Sequence, residues 1–287
     1  MNTITQGQVA IVSDTTASLP EGFAQAYGVP LAPQVILFGE ESLLEEQEIR
    51  FDEFLERMKA SPVLPRTAAP PPGEFVRIYA QALQQAETIL SIHPSSGLSG
   101  TVRSAQTAKA EVFPDADIRI LDTRTIGGAL GEMVRIAVGD AQSGRPADEI
   151  EARIRQLIPR SRTLFAIRTL EYLQRGGRIG RAAALAGSLL NIKPLLQLSD
   201  GVVTPLDKVR THSRALQRLE ELVVQECPHS PEAHLCVMEA DARQEAERMV
   251  ASLKAALGIA HIPILNVGSA ITTHAGPGVL GVSFFVE

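Results

Sequence analysis

Four hydroxyls crowd one short stretch of this chain, Ser95-Ser96-Gly97-Leu98-Ser99-Gly100-Thr101. An apolar run, Thr88 to Ile92, precedes it, and a helical pattern begins near Gly100. A strand that ends in such a cluster brings hydroxyls to its carboxyl end, beside the unpartnered N–H groups of a helix start. That setting suits an anion. The same residues could serve as an ordinary helix cap. Thr67 stands ahead of Pro70-Pro71-Pro72, three prolines that stiffen the chain into an extended form. It is either part of a spacer or a hydroxyl held firmly against a ligand. His274 lies just before Gly276-Pro277-Gly278, where a tight bend is expected. Its ring is either structural or able to donate to a carboxylate or activate a hydroxyl.

Other patterns carry less. Ser96, His274 and Asp122 can be drawn as a hydrolase triad, so an esterase using Ser96 and His274 is one alternative. No Gly-x-Ser-x-Gly elbow surrounds any serine, which counts against it. Gly276 to Gly281 matches a dinucleotide fingerprint as a string, but a strand rather than a helix follows. No Gly-x-x-x-x-Gly-Lys phosphate loop is present. Arg175 and Arg178 flank Gly176-Gly177, a turn that displays cations or is simply solvated. The histidines show no metal-ligand spacing, and Cys227 and Cys236 are too few for a four-ligand zinc site.

The elements that must position these residues alternate. Strands are predicted at Gln8–Val12, Leu31–Phe38 (an edge strand, because of Pro33), Thr88–Ile92 and Ile118–Leu121. Helices are predicted at Phe51–Lys59, Phe75–Ala86, from about Thr125, and after Pro146. Such alternation reads as α/β with a parallel sheet, whose ligands sit off the strands' carboxyl ends. Ser13-Asp14 and Asp122-Thr123 should therefore share an edge with the hydroxyl stretch. A boundary near Pro159 to Arg162 divides residues 1–160, a parallel α/β domain, from 161–287, a smaller mixed α/β domain. In the second part Asp200-Gly201 signals a hairpin, and helices are expected at Thr211–Gln225 and Asp241–Leu257. Asp241 and Gln244 are spaced as a capping box for the latter.

Composition narrows the function. With 27 Lys and Arg against 33 Asp and Glu, and the basic residues scattered, a nucleic-acid surface is not expected. Trp is absent and aromatics make up 4%, so stacking platforms are not expected either. No apolar run is long enough to span a bilayer, and Met1 to Gln8 lacks the features of a secretory leader. Two cysteines and no leader pattern point to a cytoplasmic protein.

Taken in order, the motifs resemble those of the DegV family of fatty-acid-binding proteins, carrier subunits of bacterial fatty-acid kinase. The resemblance rests on Ser13-Asp14-Thr15-Thr16, Thr67 to Phe75, Ser95 to Thr101, Leu121-Asp122-Thr123 and Thr169 to Ile179. It continues through Asn191-Ile192-Lys193-Pro194, Asp200-Gly201, Lys208-Val209-Arg210 and His274 to Gly278. It implies two α/β domains with a lipid tunnel between them, and one long-chain fatty acid such as palmitate, stearate or oleate. It also implies that Thr67, Ser95 or Ser96, and His274 bind the carboxylate, and that no cofactor is needed. A separate ATP-binding kinase subunit would convert the carboxylate to an acyl phosphate for phospholipid synthesis. Arg178, with Arg175 beside it, matches the region that meets that kinase, and transient contact with a membrane surface fits the role. A carrier of another apolar anion is a further alternative. In one respect the chain departs from the family: the loop's usual Thr-Ser-Gln-Pro is Thr67-Ala68-Ala69-Pro70 here.

Overall fold

A computed structural model describes residues 9–191 and 193–287 of the 287-residue chain. The reading of the first eight residues as leaderless, and Ile192 of the Asn191–Pro194 motif, lie outside these. The first strand, β1 (Val9–Asp14), is followed by α1 (Phe23–Tyr27), β2 (Leu31–Ala32), β3 (Val35–Phe38) and β4 (Glu41–Leu44). Next come α2 (Phe51–Ala60), β5 (Arg66–Ala68), α3 (Pro72–Ala82), β6 (Thr88–His93) and α4 (Thr101–Val112). Then β7 (Asp117–Asp122), α5 (Gly128–Gln142) and α6 (Ala147–Leu157) complete this part. Strands β2-β1-β6-β7 form a parallel sheet in that order. In it Val12 pairs with Ser91 and His93 with Asp122, so Asp14, His93 and Asp122 end on one edge as expected.

The predicted single strand Leu31–Phe38 is two. Pro33 has no N–H to give a ladder, and the chain leaves the parallel sheet there. Strand β2 stays on its edge, while β3 joins an antiparallel sheet ordered β4-β3-β5. Thr67 is thereby in a strand, paired with Ile36, rather than in a loop. Helix α3 starts earlier than expected because Pro72 occupies its first turn, where a missing N–H costs nothing. Its apolar face buries Phe75, Ile78 and Tyr79 against the parallel sheet's Val12, Ile89 and Ile118.

From Ser161 onward a six-stranded sheet forms. It contains β8 (Ser161–Ala166), β9 (Lys193–Ser199), β10 (Val202–Val209), β11 (Cys236–Ala240), β12 (Ile264–Asn266) and β13 (Val279–Phe285). Their order is β10-β9-β8-β13-β11-β12, antiparallel except for β11 with β12. The hairpin signal is met: Asp200 (φ 52°) and Gly201 (φ 78°) turn β9 into β10, as a two-residue loop with both φ positive requires. Helices α7 (Glu171–Arg175), α8 (His212–Glu226), α9 (Arg243–Leu257) and α10 (Gly268–Ala275) fill the connections. Leu219, Val223, Met249 and Leu253 of α8 and α9 share a core with Leu164, Val237 and Val282 of the sheet.

Two expectations fail here. Asp241 does not cap α9. It takes a left-handed conformation (φ 58°), its side chain pairs with Lys59 at 2.6 Å, and the Ala242 amide donates to Glu239 instead. The segment around His274 is a helix, not a bend. Its β-branched residues weaken the helical signal, but Thr272 and Thr273 bond back to the carbonyls of Gly268 and Ser269. The bend follows it, at Gly276 and Gly278 with φ near 81° and 82°.

Candidate functional site

The carboxyl edge of the parallel sheet, the β3-β5 sheet, α10 and one face of the six-stranded sheet enclose a cavity. About 120 Å³ of it is open to the centres of water molecules. Most of the wall is apolar, including Ile126, Phe165, Leu173, Met238, Ile271 and Val279. Its polar contributors include Thr16, Gln34, Thr67, Ser99, Arg178 and His274.

Thr67 and His274, 207 residues apart, meet there: Thr67 Oγ1 lies 2.7 Å from His274 Nε2. The short β5 strand holds the one, and the last turn of α10 the other. His274 Nδ1 is buried without a partner. Burial pushes the ring's pKa down to about 4, with the nearby Arg178 cation adding to the effect. The imidazole is therefore neutral at physiological pH, one nitrogen engaged with Thr67 and the other idle. Gly176 explains part of the neighbouring motif, because a Cβ there would run into His274 Nδ1. Gly276 plays the same part for the Tyr172 ring.

A mostly apolar enclosure with a few hydrogen-bonding side chains on its wall is suited to an amphiphilic anion. The family model matching residues 8–287 is DegV, described as a family of uncharacterised proteins. This chain belongs to the DegV family. Curated relatives agree over nearly their whole length. A DegV domain-containing protein of Streptomyces coelicolor is 36% identical, over 96% of this chain and 97% of that protein. The protein DegV of Bacillus subtilis is 32% identical, over 96% and 98%. A solved DegV family protein from Thermus thermophilus, described by its fatty acid binding, superimposes with TM-score 0.88 at 28% identity, covering 98% of this chain and all 100% of that one. Bacillus subtilis DegV, described as a fatty acid binding protein, gives TM-score 0.85 at 30% identity, with the same coverage.

Within this DegV chain the paired serines do not face the cavity. Ser95 is fully buried, donates to the Gly201 carbonyl at 2.7 Å and accepts the Gly97 amide. It stitches the loop after β6 to the β9–β10 turn. Ser96 is exposed and donates to the Asp122 carboxylate at 2.5 Å. Of the serines in this stretch it is Ser99, rather than Ser95 or Ser96, that lines the cavity. The reason is the tight turn at 95–99, closed by Ser99 N on Ser95 O at 3.0 Å, which aims successive side chains in different directions. The drawn triad is not assembled: Ser96 binds Asp122 directly, and His274 binds Thr67.

The cationic turn divides too. Arg175 is exposed and pairs with Glu171. Arg178 is half-buried, reaches the cavity, and donates to the carbonyls of Leu98 and Gly176 at 3.1 and 2.8 Å. Far from being a free surface cation, it braces the serine loop against the glycine turn.

A polar network that sequence reasoning missed lies behind the cavity wall. Asp14, Ser91, His93 and Tyr79 are all fully buried. Asp14 Oδ1 accepts from Thr16 N, Thr16 Oγ1 and Gln34 Nε2, and Oδ2 accepts from His93 Nδ1 at 2.8 Å. His93 Nε2 is left to accept from Ser91, and Ser91 from Tyr79. Gln34 also donates to Thr101, which shares a 2.7 Å bond with Ser99. Thr101 thereby ties Ser99, on the cavity wall, to the buried network. The period-2 placement of Ser91 and His93 on β6 was the available signal, since both must point to one face. No helix among the described residues is long and apolar enough to cross a membrane.

Proposed function

We propose that this chain binds one long-chain fatty acid, such as palmitate, stearate or oleate, and is not itself a catalyst. The observation that carries the reading is the Thr67–His274 pair on the wall of a mostly apolar cavity. Its support from relatives is that solved DegV proteins at 28% and 30% identity are described as fatty-acid-binding. Residues 1–160 and 161–287 would act as two domains with the acyl chain lodged between them. Thr67, Ser99 and His274 would donate to the carboxylate, with Ser95 and Ser96 holding the loop that carries Ser99.

The energetics favour such a ligand without a cofactor. Burying roughly 14 methylenes at about 0.8 kcal/mol each contributes on the order of 11 kcal/mol before association costs. Hydrogen bonds to a carboxylate add roughly 1.5–3 kcal/mol each. Neutral His274 suits the task, because it can offer Nε2–H to an incoming anion once its idle Nδ1 takes the acceptor role. Such a tautomer exchange leaves no buried charge when the site is empty.

We further infer that the bound carboxylate is presented to a separate ATP-dependent kinase subunit, which forms the acyl phosphate in the cytoplasm. Hydroxyls and one neutral histidine hold a carboxylate firmly while leaving its oxygens able to attack a phosphoryl group.

Native mass spectrometry of protein purified from bacteria tests the reading directly. A co-purified fatty acid is the expected result. Protein that arrives empty and takes none from an offered lipid mixture would end it. Displacement by an isoprenoid or retinoid acid but not by oleate would assign the cavity to another apolar anion. Adding a fatty-acid kinase subunit and ATP should yield acyl phosphate only when the carrier is loaded.

A further inference from the structure

Glu45 follows β4 and is 1% exposed, an unusual place for a carboxylate. Its Oε1 accepts the Ala270 amide at 2.8 Å, and its Oε2 accepts the Thr15 hydroxyl at 2.5 Å. Ala270 is in the first turn of α10, and His274 is in the last turn of the same eight-residue helix. Thr15 Oγ1 accepts the Gln34 amide at 3.0 Å, and the Glu45 amide donates to the Gln34 carbonyl at 2.9 Å. One side chain therefore joins the helix that carries His274 to the segment that carries Gln34, and both of those residues face the cavity. The chain is shaped around it. Gly268 has φ +81°, and a Cβ there would stand 3.0 Å from Glu45 Oε1.

We propose, on the basis of the fatty-acid reading above, that Glu45 is a positioning residue for the Thr67–His274 pair on the cavity wall. Clamped between Thr15 and the first turn of α10, it sets where the helix delivers His274 against Thr67. A helix start is the favourable place for a negative charge, and the amide it satisfies has no partner within the helix. Ala270 and His274 are one turn apart, about 6 Å along the axis at 1.5 Å per residue. A helix of two turns transmits a slip at one end to the other. The Thr67–His274 bond, formed across two elements, has little room for such a slip.

The same clamp makes the site sensitive to protons. Burial pushes the Glu45 carboxyl up to about 7, and neighbouring Glu46 adds to this. The Thr15 hydroxyl and the amides of Ala270 and Ser269 oppose it. Above pH 7 the ionised carboxylate accepts both bonds. Below it, one oxygen becomes a donor that must compete with the Thr15 proton.

The test reads His274 without any ligand. Nitrogen-resolved histidine spectra of ligand-free wild type, Glu45→Gln and Glu45→Ala are compared, with His274→Gln used to assign the signal. In wild type the His274 resonance should move with a midpoint near 7, well above the ring's own value of about 4. Glu45→Gln retains an acceptor for Ala270 and should keep the Thr67-bonded signal while losing that midpoint. Glu45→Ala should displace the signal at every pH and weaken oleate binding about tenfold, the scale of one lost charge-assisted hydrogen bond. Glu45→Gln should stay within about twofold of wild type. A Glu45→Ala spectrum that coincides with wild type overturns the proposal, as does a midpoint near 7 that survives in Glu45→Gln. Should Glu45→Ala not fold, the midpoint in Glu45→Gln decides alone. If the spectra behave as expected but wild type takes up no oleate, the fatty-acid reading fails and the positioning role stands.

Discussion

Two histidine–hydroxyl clusters lie close to the same sheet edge, and they differ in how completely they are satisfied. Around His93, both ring nitrogens, all the accepting positions used on Asp14, and the hydroxyls of Ser91 and Tyr79 are engaged with one another at zero exposure. Around His274, one nitrogen meets Thr67 and the other has no partner, at the rim of a cavity. The first cluster has the residue types of a hydrolase triad but neither spare hydrogen-bonding capacity nor access. The second has both. A closed network contributes stability and rigidity, whereas an incomplete one beside a cavity is where a ligand completes the count.

The sharpest way to break this contrast is Asp14→Ala. It strands four donors in the interior, so unfolding free energy should fall by about 3–5 kcal/mol in urea titration, with oleate binding lost as a consequence. A loss below about 1 kcal/mol would mean the network is slack. His274→Ala should do the reverse. Oleate affinity falls by roughly 10–100-fold in calorimetry, equivalent to one strong donor, while stability falls by only about 1 kcal/mol, the scale of the single Thr67 bond, because Nδ1 had no partner to lose. Among the serines, Ser99→Ala should weaken oleate binding about tenfold. Ser95→Ala should lower stability by about 1 kcal/mol with a smaller effect on affinity, and Ser96→Ala should do neither. Equal affinity losses at all three would return the carboxylate contact to the paired serines.

The pH dependence separates the clusters again. The folded pKa of His274 is depressed to about 4 from an ordinary 6.5. The stability tied to its neutral form is therefore present above 6.5 and drains away as pH falls toward 4. His274→Gln should flatten that slope in urea titrations from pH 7 to 4.5. The smallest effect is expected at Arg175: Arg175→Ala should leave oleate binding unchanged and slow only kinase-dependent acyl-phosphate formation. Arg178→Ala should lower both, because Arg178 reaches the cavity and braces the serine loop. Intact binding in Arg178→Ala would place that residue wholly on the kinase side.

Much of this organisation is legible without coordinates. The apolar run at Thr88, the faces of α5 and α6, and the Asp200-Gly201 turn each follow from local rules, because strand, helix and hairpin periodicities are properties of neighbouring residues. The same rules fail at Leu31–Phe38, where a proline sends two halves of one apolar run into different sheets. They fail again at α10, whose Thr-rich sequence is helical only through its back-bonded hydroxyls and its packing. The site was legible in part. Thr67 and His274 stand out by their settings, but Ser99 was overshadowed by the conspicuous pair before it.

Residue order and type decided that this chain is α/β, that its hydroxyls end a parallel strand, and which family its motifs resemble. Those are consequences of periodicity and of motifs read in sequence. Only the tertiary structure decided which serine of several faces the cavity, that His274 meets Thr67 across 207 residues, and that Glu45 holds the first turn of the helix that carries His274. Direction around a tight turn, and contact between distant segments, depend on packing, and packing has no signature in the spacing of neighbours along a chain.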